Sequence, residues 1–486
     1  MESSYKKSAR DTIIVGVATL VQFLMGLFIM PLISKSMGAQ GYGIWSQVNT
    51  TIGLILPFTH LGLGGAMIRF LAAEKRREDI QEGFYSVIMA IFATNLIAAL
   101  IVITFASLLA ANFFDGAVQI VRITGILIIL SPAVEHYLLL IRTFQQVKTY
   151  SLLIVLEDCC RVGLIGFVVL NGYGILGVIL AFMAVKILAL VVLFFVVKSH
   201  IGLRWPRFSR LKEFLGYGLP LVPGGIAFCL VKLSDRYIIA FFLGTTAVGI
   251  YSAGYGLGTL PYLYMSVLTF VLFATLPQLY DEGRMAEVKT HLRYSFKYFM
   301  AMAIPFVFGA AVLGKPILRL FSTAQIASEG CHVVPVIALA VTILSVYSII
   351  LNILVLTKKV KVLVPIWIGA SVIHLGLNML SVPIIGIVGA AITTLIAYAL
   401  ALSVVSYCAF KEFTFTIDWL FIIKSLIAAA IMSVAVWLMH PQRLMATFIT
   451  VIAGVVIYGV ALVALRGFSR KEFRFFWGLL RRGDTL

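Results

Sequence analysis

A chain of 486 residues that is 61% hydrophobic and only 12% charged is not a soluble globular protein, which carries about a quarter charged residues. The formal net charge of +18 brings nucleic-acid binding to mind, but that reading stands only if the basic residues gather on a soluble face, so their positions decide it. The 5 cysteines show no CxxC or Cys/His metal spacing, and all but Cys331 sit inside apolar runs, so neither a disulfide framework nor a zinc site is indicated.

A helix needs roughly 20 apolar residues to cross about 30 Å of hydrocarbon, and about fourteen stretches qualify. MESSYKKSARD leads into the first, residues 11–34, without the cleavage pattern of a signal peptide, so that helix is expected to be retained. Stretches 41–72, 83–112 and 118–141 follow, with Pro57 in the second and Pro132 in the fourth. Residues 149–170 and 174–197 are apolar but carry charges, and KSHIGLRWPRFSRLK separates them from 213–243, which contains Pro220 and Pro223. The remaining stretches are 247–279 with Pro261, 292–314 with Pro305, 331–356, 362–382, 386–410, 418–439 and 443–465. No connecting segment exceeds about 20 residues, which leaves no room for a soluble domain. Proline interruptions suit mobile, cavity-lining helices, although proline and glycine are common in membrane helices in any case.

Lys and Arg stay on the cytoplasmic side of a membrane, so their distribution sets orientation. With a cytoplasmic N-terminus, the inner side collects Lys6, Lys7 and Arg10, then Lys75, Arg76 and Arg77, then the basic stretch 198–212. It also receives Arg284, Lys289 and Arg293, then Lys358, Lys359 and Lys361, and the tail residues Arg470, Lys471, Arg474, Arg481 and Arg482. The outer side holds little beyond Lys35, Lys315, Arg319 and Arg443. About 27 basic residues inside against about 4 outside requires an even number of spans with both termini cytoplasmic. Most of the positive charge is thus topological, and no nucleic-acid partner is needed.

The chain also repeats itself. ISKSMGAQGYGIWS (33–46) aligns with IAFFLGTTAVGIYS (239–252), matching Gly38 to Gly244, Gly43 to Gly249, Ile44 to Ile250, Trp45 to Tyr251 and Ser46 to Ser252. GILGVILAF from Gly174 echoes GIVGAAITT from Gly386. Both pairs are about 210 residues apart with six spans between copies, so the halves run parallel about an axis along the membrane normal. The expected fold is all-α: residues 1–200 form one six-helix lobe, 201–212 a basic cytoplasmic linker, and 213–412 a second lobe. Two further helices over 413–467 and a basic cytoplasmic tail over 468–486 complete it. Transporters built from two such bundles hold substrate between them and rock one against the other.

A charge at the centre of a membrane helix costs about 2.5 to 3.5 kcal/mol, so intramembrane ionisable residues are functional candidates. Here they are Arg69, Glu135, Glu157, Asp158, Arg161, Lys186, Lys232, Asp235 and Arg236. Glu157 and Asp158 precede Arg161 by one helical turn, and Lys232 precedes Asp235 and Arg236 likewise, so each set shares a helix face and can pair locally. Local salt bridges that merely tolerate burial are one reading. A hydrated cavity is the other, because each set leaves a charge unmatched and Lys186 has no partner along the sequence. Lys424 reads as a snorkelling residue, and His60, His136 and His374 as packing residues. Gln47, Asn49, Asn352 and Asn378 read as interhelical hydrogen-bonders.

SDRYIIAFFLGTTAVGIYSAGY, PLISKSMGAQGYGIWS followed by GLGGAMIRFLA, and LNMLSVPIIGIVGAAITTLIAY together resemble the polysaccharide transporters of the multidrug/oligosaccharidyl-lipid/polysaccharide exporter superfamily, which includes the Wzx-type O-antigen flippases. The resemblance covers nearly the whole chain. It implies a flippase, not an enzyme, carrying an undecaprenyl-pyrophosphate-linked oligosaccharide from the cytoplasmic to the periplasmic leaflet of a bacterial inner membrane. Arg69, Arg161, Lys186, Lys232 and Arg236 become the expected cavity cations facing the pyrophosphate. Glu157, Asp158 and Asp235 become gating or ion-coupling residues, with H⁺ or Na⁺ as coupling ion and no other cofactor. Partners implied are the lipid-linked glycan, membrane lipids, and the polymerase and chain-length proteins of glycan assembly. A lipid II flippase and a cation-coupled drug exporter of the same superfamily are the alternatives. A membrane polymerase or glycosyltransferase fits less well, because the longest outer connection, about 315–330, is short and holds no acid pair.

Overall fold

The computed structural model describes residues 2–74, 76–439, 444–468 and Glu472. Lys75, Arg443 and the tail cations Arg470, Lys471, Arg474, Arg481 and Arg482 lie outside the described residues, as do the side chains of Lys6, Lys7 and Arg10. The helices are α1 (Glu2–His60), α2 (Leu63–Leu71), α3 (Arg77–Thr104), α4 (Ala106–Phe113), α5 (Val118–Thr143), α6 (Val147–Leu170), α7 (Gly174–Ile201), α8 (Leu211–Gly218) and α9 (Val222–Gly258). They continue with α10 (Pro261–Asp281), α11 (Met285–Phe321), α12 (Ala324–Gly330), α13 (Val333–Leu356), α14 (Leu363–Ile385), α15 (Ile387–Phe410), α16 (Trp419–Met439) and α17 (Leu444–Ala464). Among the described residues there is no β-strand.

Twelve of the helical segments are long and apolar enough to cross a membrane. They cover the expected stretches apart from 149–170 and the ends of 41–72 and 83–112, and the counts differ for local reasons. Helix α1 carries two expected stretches through Gly38, whose φ of 69° and ψ of −168° interrupt the helical path, and α9 passes through Gly244 in the same way, at φ 81° and ψ 174°. Helix α6, the expected stretch 149–170, is set apart from the twelve by the three charges Glu157, Asp158 and Arg161 rather than by any shortage of apolar residues.

The chain packs into two compact units. The first comprises Met1–Ala253, Phe321–Ile326 and Lys361–Ala397; the second comprises the described residues of Gly254–Leu320, Ala327–Val360 and Tyr398–Leu486. In the first unit, one buried cluster joins α1 to α4, α5, α6 and α7 around Ile33, Val48, Leu127, Ile165 and Val178. A second cluster joins α2, α3, α5, α7 and α8 around Leu63, Met67, Phe84 and Phe214.

In the second unit α11 packs on α16 and α17 through Leu313, Phe421, Met432, Val436, Tyr458 and Leu462. Tyr458 and Ser425 share a hydrogen bond of 2.7 Å, which satisfies two hydroxyls that lipid could not. Lys297 of α11 is 6% exposed, and its ammonium lies 2.9 Å from Glu472 and 3.3 Å from Asp418. The Phe421 ring stands 4.9 Å away and that of Phe468 5.8 Å. Burial works against the Asp418 carboxylate, yet the Phe421 backbone N–H at 3.0 Å and the Lys297 ammonium hold its pKa below the ordinary value. A carboxylate depressed on folding adds stability above its unfolded pKa and loses it as pH falls through the folded one, so Asp418 contributes fully at neutral pH. Removing one member of a buried pair costs about 3–5 kcal/mol because the other is left uncompensated. Lys297→Met is therefore expected to lower the thermal midpoint in detergent, with Lys297→Met/Glu472→Leu recovering part of it. Strictly additive single effects would show that the pair is not coupled.

Candidate functional site

The two copies of the repeat meet inside the first unit, and they meet reciprocally. A Cβ on Gly43 would lie 1.9 Å from the carbonyl oxygen of Thr245, and a Cβ on Gly249 would lie 2.0 Å from that of Ala39. Ala39 and Thr245 are themselves repeat equivalents, so the contact is the one a twofold axis generates. Only glycine lets two backbones approach this closely, as at small-residue crossings of membrane helices. Three residues on, Ser46 and Ser252 share a hydrogen bond of 2.6 Å. Asp115, in the turn between α4 and α5, accepts a hydrogen bond from Gln40 Nε2 at 2.8 Å and another from Thr245 Oγ1, linking both copies. One turn deeper, Tyr237 and Thr51 share a bond of 2.6 Å.

The aromatic that follows Ile44 or Ile250 differs between copies. Trp45 packs edge-on against Phe182 at 5.2 Å, whereas Tyr251 donates its hydroxyl proton to Asp235 Oδ2 at 2.5 Å. Asp235, on α9, is fully buried. Its Oδ1 accepts from Asn378 Nδ2 at 2.8 Å and lies 2.9 Å from His374 Nε2; its Oδ2 also accepts from Thr394 Oγ1 at 3.0 Å. His374 and Asn378 sit one turn apart on α14 and Thr394 is on α15, so three helices converge on one carboxylate. His374, Asn378 and Thr394 are themselves buried. Arg236 donates to the Lys232 carbonyl at 2.9 Å, and its guanidinium carbon lies 5.3 Å from the centre of the Tyr251 ring, beside the cluster.

A second charged group lies on α6 and α7. Arg161 and Asp158 form the expected local pair at 2.6 Å. Glu157 does not share Arg161 but bonds Lys186 across to α7. This corrects the reading of Lys186 as partnerless, since a helix-to-helix pair leaves no mark in local spacing. Asp158 Oδ2 and Arg161 Nε remain without a hydrogen-bond partner.

The other expected residues make no side-chain hydrogen bond or ion pair with either cluster among the described residues, although Glu135 lies within reach of the Lys186 charge. Arg69 is exposed and lies over the Tyr217 ring at 4.7 Å. Lys232 is exposed, with no acidic partner among the described residues, and Glu135 is exposed on α5. Beside Glu135, His136 is buried, bonds the Pro132 carbonyl at 2.9 Å and meets the His60 ring edge-on at 4.4 Å. Sequence reasoning missed the role of His374, treated as a packing residue, and of Tyr251, Thr394 and Asp115. The one available signal was that His374 and Asn378 occupy i and i+4 of an apolar helix.

A bundle of apolar helices built on a doubled motif, with ionised clusters sealed inside it, is the architecture of a membrane transporter rather than an enzyme. Residues 8–280 match the family described as polysaccharide biosynthesis protein, and residues 220–380 match the MatE family. The chain belongs to the polysaccharide biosynthesis protein family. It is 27% identical over 248 residues to the probable flippase AglR of Haloferax volcanii, covering 49% of this chain and 51% of that protein. The chain thus spans about half the length of that relative. It is 23% identical over 434 residues to the probable low-salt glycan biosynthesis flippase Agl15 of the same organism, covering 87% of this chain and 89% of that one. Among solved structures it resembles the lipid II flippase MurJ in an inward closed conformation, with a TM-score of 0.79, 18% identity and coverage of 93% and 99%. An inward-facing multidrug resistance MATE transporter follows, with a TM-score of 0.63, 14% identity and coverage of 81% and 94%.

Proposed function

We propose that this protein translocates an undecaprenyl-pyrophosphate-linked oligosaccharide, an O-antigen or similar repeat unit, from the cytoplasmic to the periplasmic leaflet of a bacterial inner membrane by alternating access. The observation that carries the reading is the coexistence of two environments that such an amphiphile needs. The first unit offers charged side chains, of which Arg69 on the short helix α2 and Lys232 within a membrane-spanning helix have no acidic partner among the described residues. The second unit holds an apolar cavity of about 410 Å³ whose walls include Pro305, Phe306, Met432, Val451 and Val455 from α11, α16 and α17. Cations attract a pyrophosphate, and an apolar cavity takes a polyprenyl chain. Arg161, Lys186 and Arg236 complete the cationic set, while Glu157 and Asp158 hold the first two of these in place and release them when the anion arrives.

Coupling is assigned to Asp235. Its carboxylate is met by the side chains of Tyr251, Asn378, Thr394 and His374, and of these four His374 alone brings a group that ordinarily exchanges a proton near neutral pH. Imidazole is the side chain whose ordinary titration falls between pH 5 and 8. The site therefore suits a proton carried by the His374–Asp235 pair, and no other cofactor is called for. The uneven distribution of Lys and Arg among the loops supports a cytoplasmic location for both termini. Polymerase and chain-length proteins would receive the product at the far leaflet. The 0.79 TM-score to a lipid II flippase favours a second reading with the same headgroup chemistry, lipid II itself.

Proteoliposomes loaded with lipid-linked oligosaccharide, with lipid II or with a cationic dye separate these readings. The expected result is protein-dependent exposure of the oligosaccharide on the far leaflet, faster under a proton gradient and indifferent to Na⁺. Transport of the dye alone would sink the flippase reading, and transport of lipid II alone would move the assignment to the second.

A further inference from the structure

The segment joining α7 to α8, residues 202–210, is fixed at several points to the start of α3. The Glu82 carboxylate accepts the Arg207 N–H at 2.9 Å, the Ser209 N–H at 3.2 Å and the Ser209 hydroxyl at 3.1 Å. Tyr85 donates to the Gly202 carbonyl at 2.7 Å and Arg77 to that of Ile201 at 2.8 Å, while Arg210 pairs with Glu74 at 2.5 Å. A segment held by this many bonds does not expose side chains for want of order. Yet Leu203 is 55% exposed, Trp205 81% and Phe208 45%. Phe208 also sits at φ 57°, a left-handed conformation that a bulky residue keeps only where the surroundings impose it.

Cations surround these three apolar side chains. Arg207 and Lys212 are exposed with no acidic partner among the described residues, and Lys198 is exposed on the last turn of α7. Arg204 has only Glu78 at 3.5 Å, itself 64% exposed. Both flanking helical segments, Gly174–Ile201 and Leu211–Gly258, are membrane-spanning by length and composition, so the segment lies at the hydrocarbon boundary. We infer that residues 203–208 form a rigid membrane-surface anchor, in which Leu203, Trp205 and Phe208 enter the interface and the adjoining cations bind the phosphates of anionic lipid headgroups. Indole and phenyl rings favour that layer, and Lys and Arg beside it are attracted to anionic lipid. The charge complementarity selects lipid over a soluble protein partner, which would have to cover an aromatic side chain and a row of cations at membrane height.

The full chain in nanodiscs tests this, with the Trp205 signal taken as the difference between wild type and Trp205→Phe. Lipids brominated on their acyl chains are expected to quench about half or more of that signal, and aqueous acrylamide little of it. In discs mixing spin-labelled phosphatidylglycerol with phosphatidylcholine, Arg204→Gln, Arg207→Gln and Lys212→Gln are each expected to lower the preference for the anionic lipid, by up to about fivefold per cation. Full acrylamide access with no bromolipid quenching would overturn the anchor and turn the patch towards a soluble partner. Unchanged lipid preference in all three variants would overturn the headgroup role. Neither measurement involves transport, so both outcomes are independent of the proposed substrate.

Discussion

Asp235→Asn is expected to insert into the membrane and to transport no glycan in the proteoliposome assay. An asparagine offers one acceptor oxygen where the carboxylate serves His374, Asn378, Tyr251 and Thr394 together, so at least one buried donor is orphaned and the imidazole loses its counter-charge. Breaking a buried pair in this way costs about 3–5 kcal/mol, which a thermal-shift series in detergent will register as a lowered midpoint. Loss of transport with loss of stability does not by itself assign coupling, and His374→Gln, whose amide nitrogen reaches the position of Nε2, supplies the missing arm. Its amide can still donate to Asp235 but cannot titrate. The expected result is a folded protein whose glycan movement in proteoliposomes no longer responds to a proton gradient. Wild-type rates in Asp235→Asn, or an intact proton response in His374→Gln, would falsify proton coupling at this site.

The sequence makes the membrane fold and the repeat plain because both rest on features that cannot be hidden. Spans must be about 20 residues of apolar helix, and the paired glycines have no substitute: Gly38 and Gly244 hold positive φ, while Gly43 and Gly249 leave no space for a Cβ. Asp235 was legible for a related reason, since a carboxylate inside an apolar helix is costly enough to demand an account. Its partners were not. Asn378 and Thr394 lie 143 and 159 residues away along the chain, and nothing local distinguishes a histidine that meets an aspartate from one that packs. Local spacing succeeded where pairing stayed within one helix, at Asp158 and Arg161, and failed where it crossed to another, at Glu157 and Lys186. Asp115 escaped notice because it lies in a turn, where a charge costs nothing and raises no question.

Oxidising the double variant Ser46→Cys/Ser252→Cys is expected to stop transport, and reducing it to restore transport. The two hydroxyl oxygens are 2.6 Å apart, and a disulfide sets its sulfurs about 2.05 Å apart on longer Cβ–S bonds, so the bridge fits this crossing with little movement. The native thiols, Cys159, Cys160, Cys229, Cys331 and Cys408, are free and would be replaced first. The prediction follows from how the repeat copies touch. Gly43 against Thr245 and Gly249 against Ala39 is a backbone contact with no side chain to give way, so it exists in full or is broken, and alternating access requires that a seal of this kind open. Gly43→Val tests the same contact from the other direction, because its Cβ would lie 1.9 Å from the Thr245 carbonyl oxygen and the helices must part to admit it. Overpacking of this sort costs about 1–3 kcal/mol, comparable to the bias between two transporter states, so the variant should favour the parted arrangement and leave a cysteine at 252 more reactive to a water-soluble thiol reagent. A cross-linked protein that carries glycan at the uncross-linked rate would mean that residues 39–46 and 245–252 stay together throughout the cycle, and the moving seam would have to be sought elsewhere in the molecule.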